Sequence, residues 1–145
     1  MFYELLTLYY LCHMKKMQPK KIVEYWKKTA AHDYESMVTL YQQKRYSDSL
    51  FFGHIVLEKI LKALVVQKTK QHSPYGHDLL KLQELAMLEL SKEEIDFLDE
   101  MNAYNTRTRY PDYKLNIYKL CTREFTKTRL DKAMKLYKKL WKQTI

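Results

Sequence analysis

Residues 47–68, SDSLFFGHIVLEKILKALVVQK, decide the fold class of this 145-residue chain. Apolar side chains surround most of a helix drawn through this stretch, which is typical of a helix at the centre of a helical protein. We therefore predict a central, largely buried helix from Ser47 to Lys68. The apolar positions are Leu50, Phe51, Ile55, Leu57, Ile60, Leu61, Leu64 and Val65.

The same predicted helix carries three polar side chains on one face. His54, Glu58 and Lys62 follow one another in steps of four residues, and side chains at that spacing are neighbours on a helix surface. A carboxylate in so apolar a helix is expected to be partly buried, and a buried carboxylate needs a cationic partner. Glu58 is therefore predicted to have a structural role, and His54 is interpreted as a core histidine.

The rest of the chain predicts further helices rather than a sheet. Only two glycines and three prolines are present, which leaves little material for the tight turns of a sheet protein. Good helix formers predominate, and 145 residues correspond to one domain with a real core. We predict an all-α fold, an up-and-down antiparallel bundle of four to five helices over residues 18–145.

Local signals set the boundaries of these helices. Proline is favoured in a first turn, and short polar side chains cap the free amides at helix starts. The predicted boundaries are Pro19 for the first helix, Asp78 for a third helix running to about Leu90, the Ser91–Glu94 capping box for a fourth, and Thr122 before the last.

Residues 1–17 are treated as a separate N-terminal extension. The segment is apolar and aromatic up to His13, then basic at Lys15 and Lys16. It is shorter than the roughly 20 apolar residues that span a bilayer, and it lacks the basic start and cleavage site of a signal peptide. Two interpretations stay open: an over-extended gene start with Met17 as the natural first residue, or an additional helix. We expect no membrane association.

The charge and the cysteines indicate a class of partner and a compartment. A formal net charge of +9 favours polyanions such as RNA, DNA or nucleotides, although lysines spread over every helix are also typical of ordinary solvated surface. Cys12 and Cys121 are too few for a disulfide framework, which favours a reducing cytoplasm. His72 and His77 do not share a helical face, so we expect neither a metal nor another cofactor.

The segment from Asn105 to about Cys121 is predicted to be irregular, because Pro111 cannot continue a helix. Arg107 and Arg109 could hold a phosphate between them, since guanidinium groups bind phosphate in bidentate fashion. Alternatively, one of them neutralises Glu58 inside the bundle. Tyr110 is a candidate to stack on a base, and Asp112 is interpreted first as a turn or capping residue.

Three pieces of sequence, in order, resemble the HEPN family, the nucleotide-binding domain of higher eukaryotes and prokaryotes. They are His54-Ile-Val-Leu-Glu58-Lys59-Ile-Leu-Lys62-Ala63-Leu64, then Gly76-His77-Asp78-Leu79 and Arg107-Thr-Arg109-Tyr110-Pro111-Asp112. The resemblance covers about Tyr25 to Trp141. It implies a four- to five-helix bundle, commonly a homodimer, that works on RNA or nucleotides and is often a toxin or accessory partner of a minimal nucleotidyltransferase.

The sequence departs from the Arg-x(4–6)-His motif of the family's ribonucleases. No histidine follows Arg107 or Arg109 at that spacing, which argues against ribonuclease activity. We therefore predict a nucleotide- or RNA-binding module whose ligand residues are Arg107, Arg109, Tyr110, Asp112, Lys62 and His77, with Asp78 capping a helix. A metal-independent ribonuclease toxin with an atypical active site and a non-catalytic structural interaction bundle remain the alternatives.

Overall fold

The computed structural model describes residues 2–14 and 17–145. These residues form seven helices and no strand, which confirms the predicted all-α class. In chain order the helices are α1 (Phe2–Met14), α2 (Pro19–Gln42), α3 (Tyr46–Thr69), α4 (Leu79–Leu85), α5 (Lys92–Arg107), α6 (Asn116–Leu120) and α7 (Arg123–Gln143). The four long helices α2, α3, α5 and α7 make the bundle, and α4 and α6 are short helices in the connections that follow α3 and α5.

Helix α3 is the centre of the bundle, because its apolar residues cover most of its circumference. Leu50, Leu57, Ile60 and Leu61 are completely buried. The helix packs on α2, α4, α5, α6 and α7. Gly53 lets α5 approach closely, since a Cβ atom there would lie only 3.1 Å from the Met101 Cε. The prediction of a central, buried second helix is confirmed.

Contacts along the helices show an up-and-down arrangement. The Tyr34 ring on α2 stacks on the Tyr137 ring on α7 at 5.0 Å, and Lys27 near the start of α2 lies over Trp141 near the end of α7. Helices α2 and α7 are therefore antiparallel. Lys139 near the end of α7 contacts Glu94 at the start of α5 at 2.8 Å, so that α5 and α7 are also antiparallel.

The predicted helix starts agree with the structure. Pro19 opens α2, and the Ser91 hydroxyl and Glu94 carboxylate form both bonds of a capping box on α5. Asp78 accepts from the backbone N–H groups of Leu80 and Lys81 at 3.0 and 3.4 Å. Thr122 accepts from the Phe125 N–H at 3.2 Å. Each of these signals depends on residues within one helical turn, so the sequence alone was sufficient to locate the helix starts.

Two predicted boundaries were wrong. Helix α4 ends at Leu85 rather than near Leu90, because Met87 takes a left-handed backbone conformation with φ 53°. The segment from Asn105 to Cys121 is not irregular throughout. Helix α5 continues to Arg107, and α6 forms from Asn116 to Leu120 once Pro111 is passed.

The N-terminal extension contains α1, whose Leu5, Leu8 and Tyr9 side chains are exposed. The basic pair Lys15 and Lys16, and Met1, lie outside the described residues. Within the described part, no helix combines the length and the apolar character needed to cross a bilayer.

Candidate functional site

The buried part of the candidate site is a cluster around the Glu58 carboxylate, which is only 5% exposed. The Lys62 Nζ lies 2.9 Å from Glu58 Oε1, one helical turn further along α3. The His77 Nδ1 lies 3.0 Å from Oε2 and reaches it from the loop before α4. The His54 Nε2 lies 3.3 Å from the same oxygen. We call His54, Glu58, Lys62 and His77 the Glu58 cluster.

The Glu58 carboxylate is stabilised in its ionised form. Burial alone would raise its pKa, because a low-polarity surrounding disfavours charge. The contacts from His54, Lys62 and His77 outweigh burial and lower the pKa of Glu58 to about 2. Glu58 is therefore a buried carboxylate anion that is contacted by the nitrogen atoms of three side chains.

His54 joins this cluster to α5. Its ring is completely buried, and its Nδ1 lies 3.2 Å from the Met101 carbonyl oxygen. Because a carbonyl can only accept, Nδ1 is the donor. The Nε2 lies 3.3 Å from Glu58 Oε2 without the alignment of a hydrogen bond, and only a proton on Nε2 as well makes this contact attractive. The interpretation of His54 as a core histidine agrees with this burial.

His77 is the exposed member of the Glu58 cluster, with 57% of its side chain accessible. Since ionised Glu58 can only accept, His77 Nδ1 carries the proton of their contact, and Nε2 has no hydrogen-bond partner among the described residues. Asp78 next to it caps α4 and also accepts from Asn102 Nδ2 of α5 at 3.0 Å. The Asn102 Oδ1 in turn accepts from the Leu79 N–H at 2.9 Å. This exchange fixes the loop that carries His77.

The cationic partner of Glu58 was predicted only in part. The carboxylate is buried and paired as expected, but no arginine pairs with it among the described residues. The alternative in which Arg107 or Arg109 neutralises Glu58 does not agree with these contacts. Lys62 on the same helix is nearer, and it is held over the Trp26 ring of α2 at 5.1 Å.

The exposed part of the candidate site is the end of α5 and the turn after it. Arg107 and Arg109 are both exposed there. The Arg109 Nε donates to the Asn105 carbonyl at 2.8 Å, and its guanidinium carbon lies 5.5 Å from the Phe51 ring and 5.4 Å from the Tyr110 ring. Asp112 accepts from the Asn116 N–H and from Asn116 Nδ2, each at 2.9 Å, and so holds the start of α6.

The two parts of the site lie along the same stretch of α3. Phe51, under Arg109, precedes Glu58 by seven residues, which corresponds to about 10 Å along a helix. Arg109 and the Glu58 cluster are thus neighbours along α3, but they do not form one contact network within the described residues. Of the ligand residues predicted from sequence, Lys62 and His77 belong to the cluster, and Arg107, Arg109, Tyr110 and Asp112 belong to the exposed end.

A family model for the HEPN domain matches residues 23–143. The chain belongs to the HEPN family. The resemblance identified from three sequence motifs over about Tyr25 to Trp141 is confirmed, and it covers nearly the same residues.

Two solved structures show the same HEPN-type fold. The crystal structure of TT1696 from Thermus thermophilus is 21% identical, with a TM-score of 0.69 over 83% of this chain and 96% of that one. The crystal structure of ST0689, described as an archaeal HEPN homologue, is 22% identical, with a TM-score of 0.66 over the same shares. A comparison with curated protein sequences finds no match.

Sequence reasoning missed several polar contacts of this HEPN chain. Asp33 on α2 is buried and pairs with Lys59 of α3 at 2.5 Å. Arg129 on α7 bonds both the Glu100 carboxylate and the Tyr104 hydroxyl. One of these contacts could have been predicted from sequence. Asp33 lies four residues before Met37, so helical spacing places this acid on the apolar face of α2, where it needs a cationic partner.

The described residues contain no group of three or more His, Cys, Asp or Glu side chains that could hold a metal ion. The Glu58 cluster, which has the most nitrogen donors, contains a lysine whose charged amine occupies one carboxylate oxygen.

Proposed function

We propose that this HEPN chain binds the phosphate groups of a nucleotide or RNA through Arg107 and Arg109. The observation that carries the proposal is the state of these two guanidinium groups. In the described part of the chain neither has a carboxylate partner, whereas Arg45 pairs with Asp48 and Arg129 pairs with Glu100. Exposed cations without an internal counter-ion are available to an anionic ligand.

Arg109 is also pre-oriented for such a ligand. Its Nε is used by the Asn105 carbonyl, and the Phe51 and Tyr110 rings lie beside its guanidinium group. These contacts leave the two terminal amino groups, which are the pair that a phosphate engages side by side. Because the side chain is already held, less conformational entropy is lost when the ligand binds.

The other predicted ligand residues take different positions in this proposal. Lys62 is nine-tenths buried against Glu58 and Trp26, so we assign it to holding the Glu58 cluster rather than to contacting phosphate. His77 is exposed and has Nε2 available to a bound strand. Asp112 is assigned to shaping the turn through Asn116.

The test is binding of a fluorescently labelled RNA oligonucleotide by the wild type, by Arg107→Ala/Arg109→Ala, and by a charge-matched control, Lys28→Ala/Lys138→Ala. Lys28 and Lys138 are surface residues of α2 and α7, so both double variants lose two surface charges. We expect the arginine variant to lose about tenfold or more in affinity and to show a shallower salt dependence, with about threefold or less for the control. Equal losses of RNA affinity in both variants would show that binding depends only on non-specific charge attraction, and would contradict the proposal.

We further propose that the chain acts as a homodimeric partner of a minimal nucleotidyltransferase in the cytoplasm, in the manner of toxin or accessory subunits. Family membership supports this proposal, and the free thiols of Cys12 and Cys121 fit a reducing compartment. Light scattering after size exclusion tests the dimer. Co-expression with a minimal nucleotidyltransferase tests the partner, and separate elution of the two proteins would contradict it.

A second candidate function, RNA strand cleavage, is favoured by the orientation of His77. Glu58 holds Nδ1, so Nε2 could take the proton of a ribose 2′-hydroxyl while that oxygen attacks the adjacent phosphorus. The 5′-oxygen would leave with a proton from water and give a 2′,3′-cyclic phosphate. Incubation of RNA with the wild type, His77→Ala and Arg109→Ala tests it, and the absence of cleavage that depends on both residues would rule it out.

A further inference from the structure

Three tyrosines follow the two arginines and are unusually exposed for so large an apolar ring. Tyr110 is 71% exposed, Tyr113 is 89% exposed and Tyr118 is 48% exposed. By contrast, Tyr34, Tyr41, Tyr46, Tyr104 and Tyr137 are partly or fully buried, and each has an aromatic ring partner. Packing accounts for the second group and not for the first.

The exposed tyrosines alternate with cations. The Arg109 guanidinium lies 5.4 Å from the Tyr110 ring, and the Lys114 Nζ lies 5.8 Å from the Tyr113 ring. Lys119 directly follows Tyr118. The one acid among residues 107–119 is Asp112, whose two oxygens are each engaged by Asn116. We call residues 107–119 the tyrosine–basic segment.

The tyrosine–basic segment is also held in shape without a ligand. Pro111 restricts its backbone, and the Asp112–Asn116 bonds close the turn before α6. Leu115 takes a left-handed conformation with φ 55° and precedes α6 directly. Rings presented from an ordered turn lose little freedom when a planar group stacks on them.

We propose that the tyrosine–basic segment selects an unpaired nucleic-acid strand, stacking its bases on Tyr113 and Tyr110 while the arginines hold its phosphates. The inference rests on the proposed phosphate-binding function, and it specifies in addition that the bound nucleic acid is single-stranded. Exposed aromatic rings beside cations fit both parts of a single strand, its base faces and its backbone. In a duplex the base faces are covered by neighbouring bases, so a duplex offers the segment only phosphates.

Three probes of equal length, about eight nucleotides, separate stacking from charge. They are an oligouridine, an abasic ribose-phosphate oligomer with the same number of phosphates, and an RNA duplex. We expect the oligouridine to bind about tenfold or more tightly than the abasic oligomer and the duplex, because each stacked base adds to the affinity. Quenching of tyrosine fluorescence by the oligouridine alone would accompany this difference.

Variants assign the difference to particular rings. Tyr113→Leu should lose about fivefold in oligouridine affinity and nothing for the abasic oligomer, while Tyr113→Phe should retain wild-type affinity for both. Tyr75→Leu is the matched control, because Tyr75 is 71% exposed in the loop before α4 and outside the segment. A Tyr113 ring that is 89% exposed is not needed for folding, and unchanged thermal unfolding checks this.

The outcomes distinguish this inference from the proposed function. If the oligouridine, the abasic oligomer and the duplex bind equally and in an arginine-dependent way, stacking is overturned and phosphate binding stands. If no probe binds in an arginine-dependent way, both proposals are overturned. If Tyr75→Leu weakens binding as much as Tyr113→Leu, the segment is not the stacking surface.

Discussion

The Glu58 cluster and the tyrosine–basic segment both contain cationic side chains, but the positive charge is paired inside the fold in the first and exposed in the second. In the cluster, one buried carboxylate is contacted by Lys62, His54 and His77. In the segment, Arg107 and Arg109 are exposed and have no carboxylate partner within the described chain. The first arrangement compensates charge inside the fold, and the second leaves positive charge available outside it.

This difference predicts that mutations in the Glu58 cluster lower the stability of the fold, whereas mutations in the tyrosine–basic segment lower the affinity for RNA. A buried pair that loses one member leaves the other charge uncompensated, so the fold should suffer. An exposed guanidinium group removed from the surface leaves nothing uncompensated, so only binding should suffer. The predictions below test that division, from the largest expected effect on the free energy of unfolding to the smallest.

Glu58→Ala should lower the free energy of unfolding by about 3–5 kcal/mol, because Lys62 would remain buried without its counter-ion. Urea unfolding measures the effect, and the folded protein that remains should keep its arginine-dependent RNA binding. Glu35→Ala, which removes an exposed carboxylate from α2, is the control and should change stability by less than about 0.5 kcal/mol. Full stability of Glu58→Ala with lost binding would reverse the roles that we assign to the two regions.

Acid should weaken the Glu58 cluster over a defined pH range. The folded-state pKa of Glu58 is lowered from 4.5 to about 2, so its contribution is present above pH 4.5 and is lost as the pH falls toward 2. The difference in pKa corresponds to about 3 kcal/mol. Urea unfolding of wild type and Glu58→Gln between pH 5 and 2 measures it. The two should converge as the pH falls, and parallel curves would show that Glu58 does not contribute.

Two arginines of the same bundle provide the next contrast. Arg129→Ala should cost about 2 kcal/mol, since it removes bonds to the Glu100 carboxylate and the Tyr104 hydroxyl. Arg107→Ala should change the free energy of unfolding by less than about 0.5 kcal/mol. Thermal and urea unfolding of both variants test this. A similar cost for the two would mean that Arg107 is part of the fold after all.

Among the contacts that hold the fold, the smallest loss of stability is expected at Asp112. Asp112→Ala removes the acceptor that holds the start of α6, and a lost cap of this kind costs about 0.5–1 kcal/mol. Asp112→Asn keeps an acceptor oxygen and should be closer to wild type. If Asp112→Ala left stability unchanged but abolished RNA binding, Asp112 would contact the ligand instead of shaping the turn.

What the sequence predicted well was local in the chain. The burial of α3, the shared face of His54, Glu58 and Lys62, and the Ser91 and Thr122 caps depend on residues within about one helical turn of each other. The ordered motifs were sufficient to identify the HEPN family. The exposed end of α5 was correctly located as the interruption around Pro111, although its helical content was underestimated.

What the sequence did not predict depends on how helices pack. Asp33 meets Lys59 only because α2 lies against α3, and Asn102 meets Asp78 only because α5 lies against the loop before α4. Lys62 stands four residues after Glu58, so the sequence already shows that it can reach the carboxylate. An arginine distant in sequence is an equally possible partner until the relative positions of the helices are known.

The buried ring of His54 offers a way to measure how often the bundle opens. Its Nδ1 proton points at the Met101 carbonyl from a ring with no solvent access, across the contact between α3 and α5. Such a proton can exchange with water only when the two helices separate. Its exchange lifetime, read from an imidazole resonance, would therefore report how often the bundle opens. A strand bound at the far end of α5 should lengthen that lifetime if binding and opening are linked.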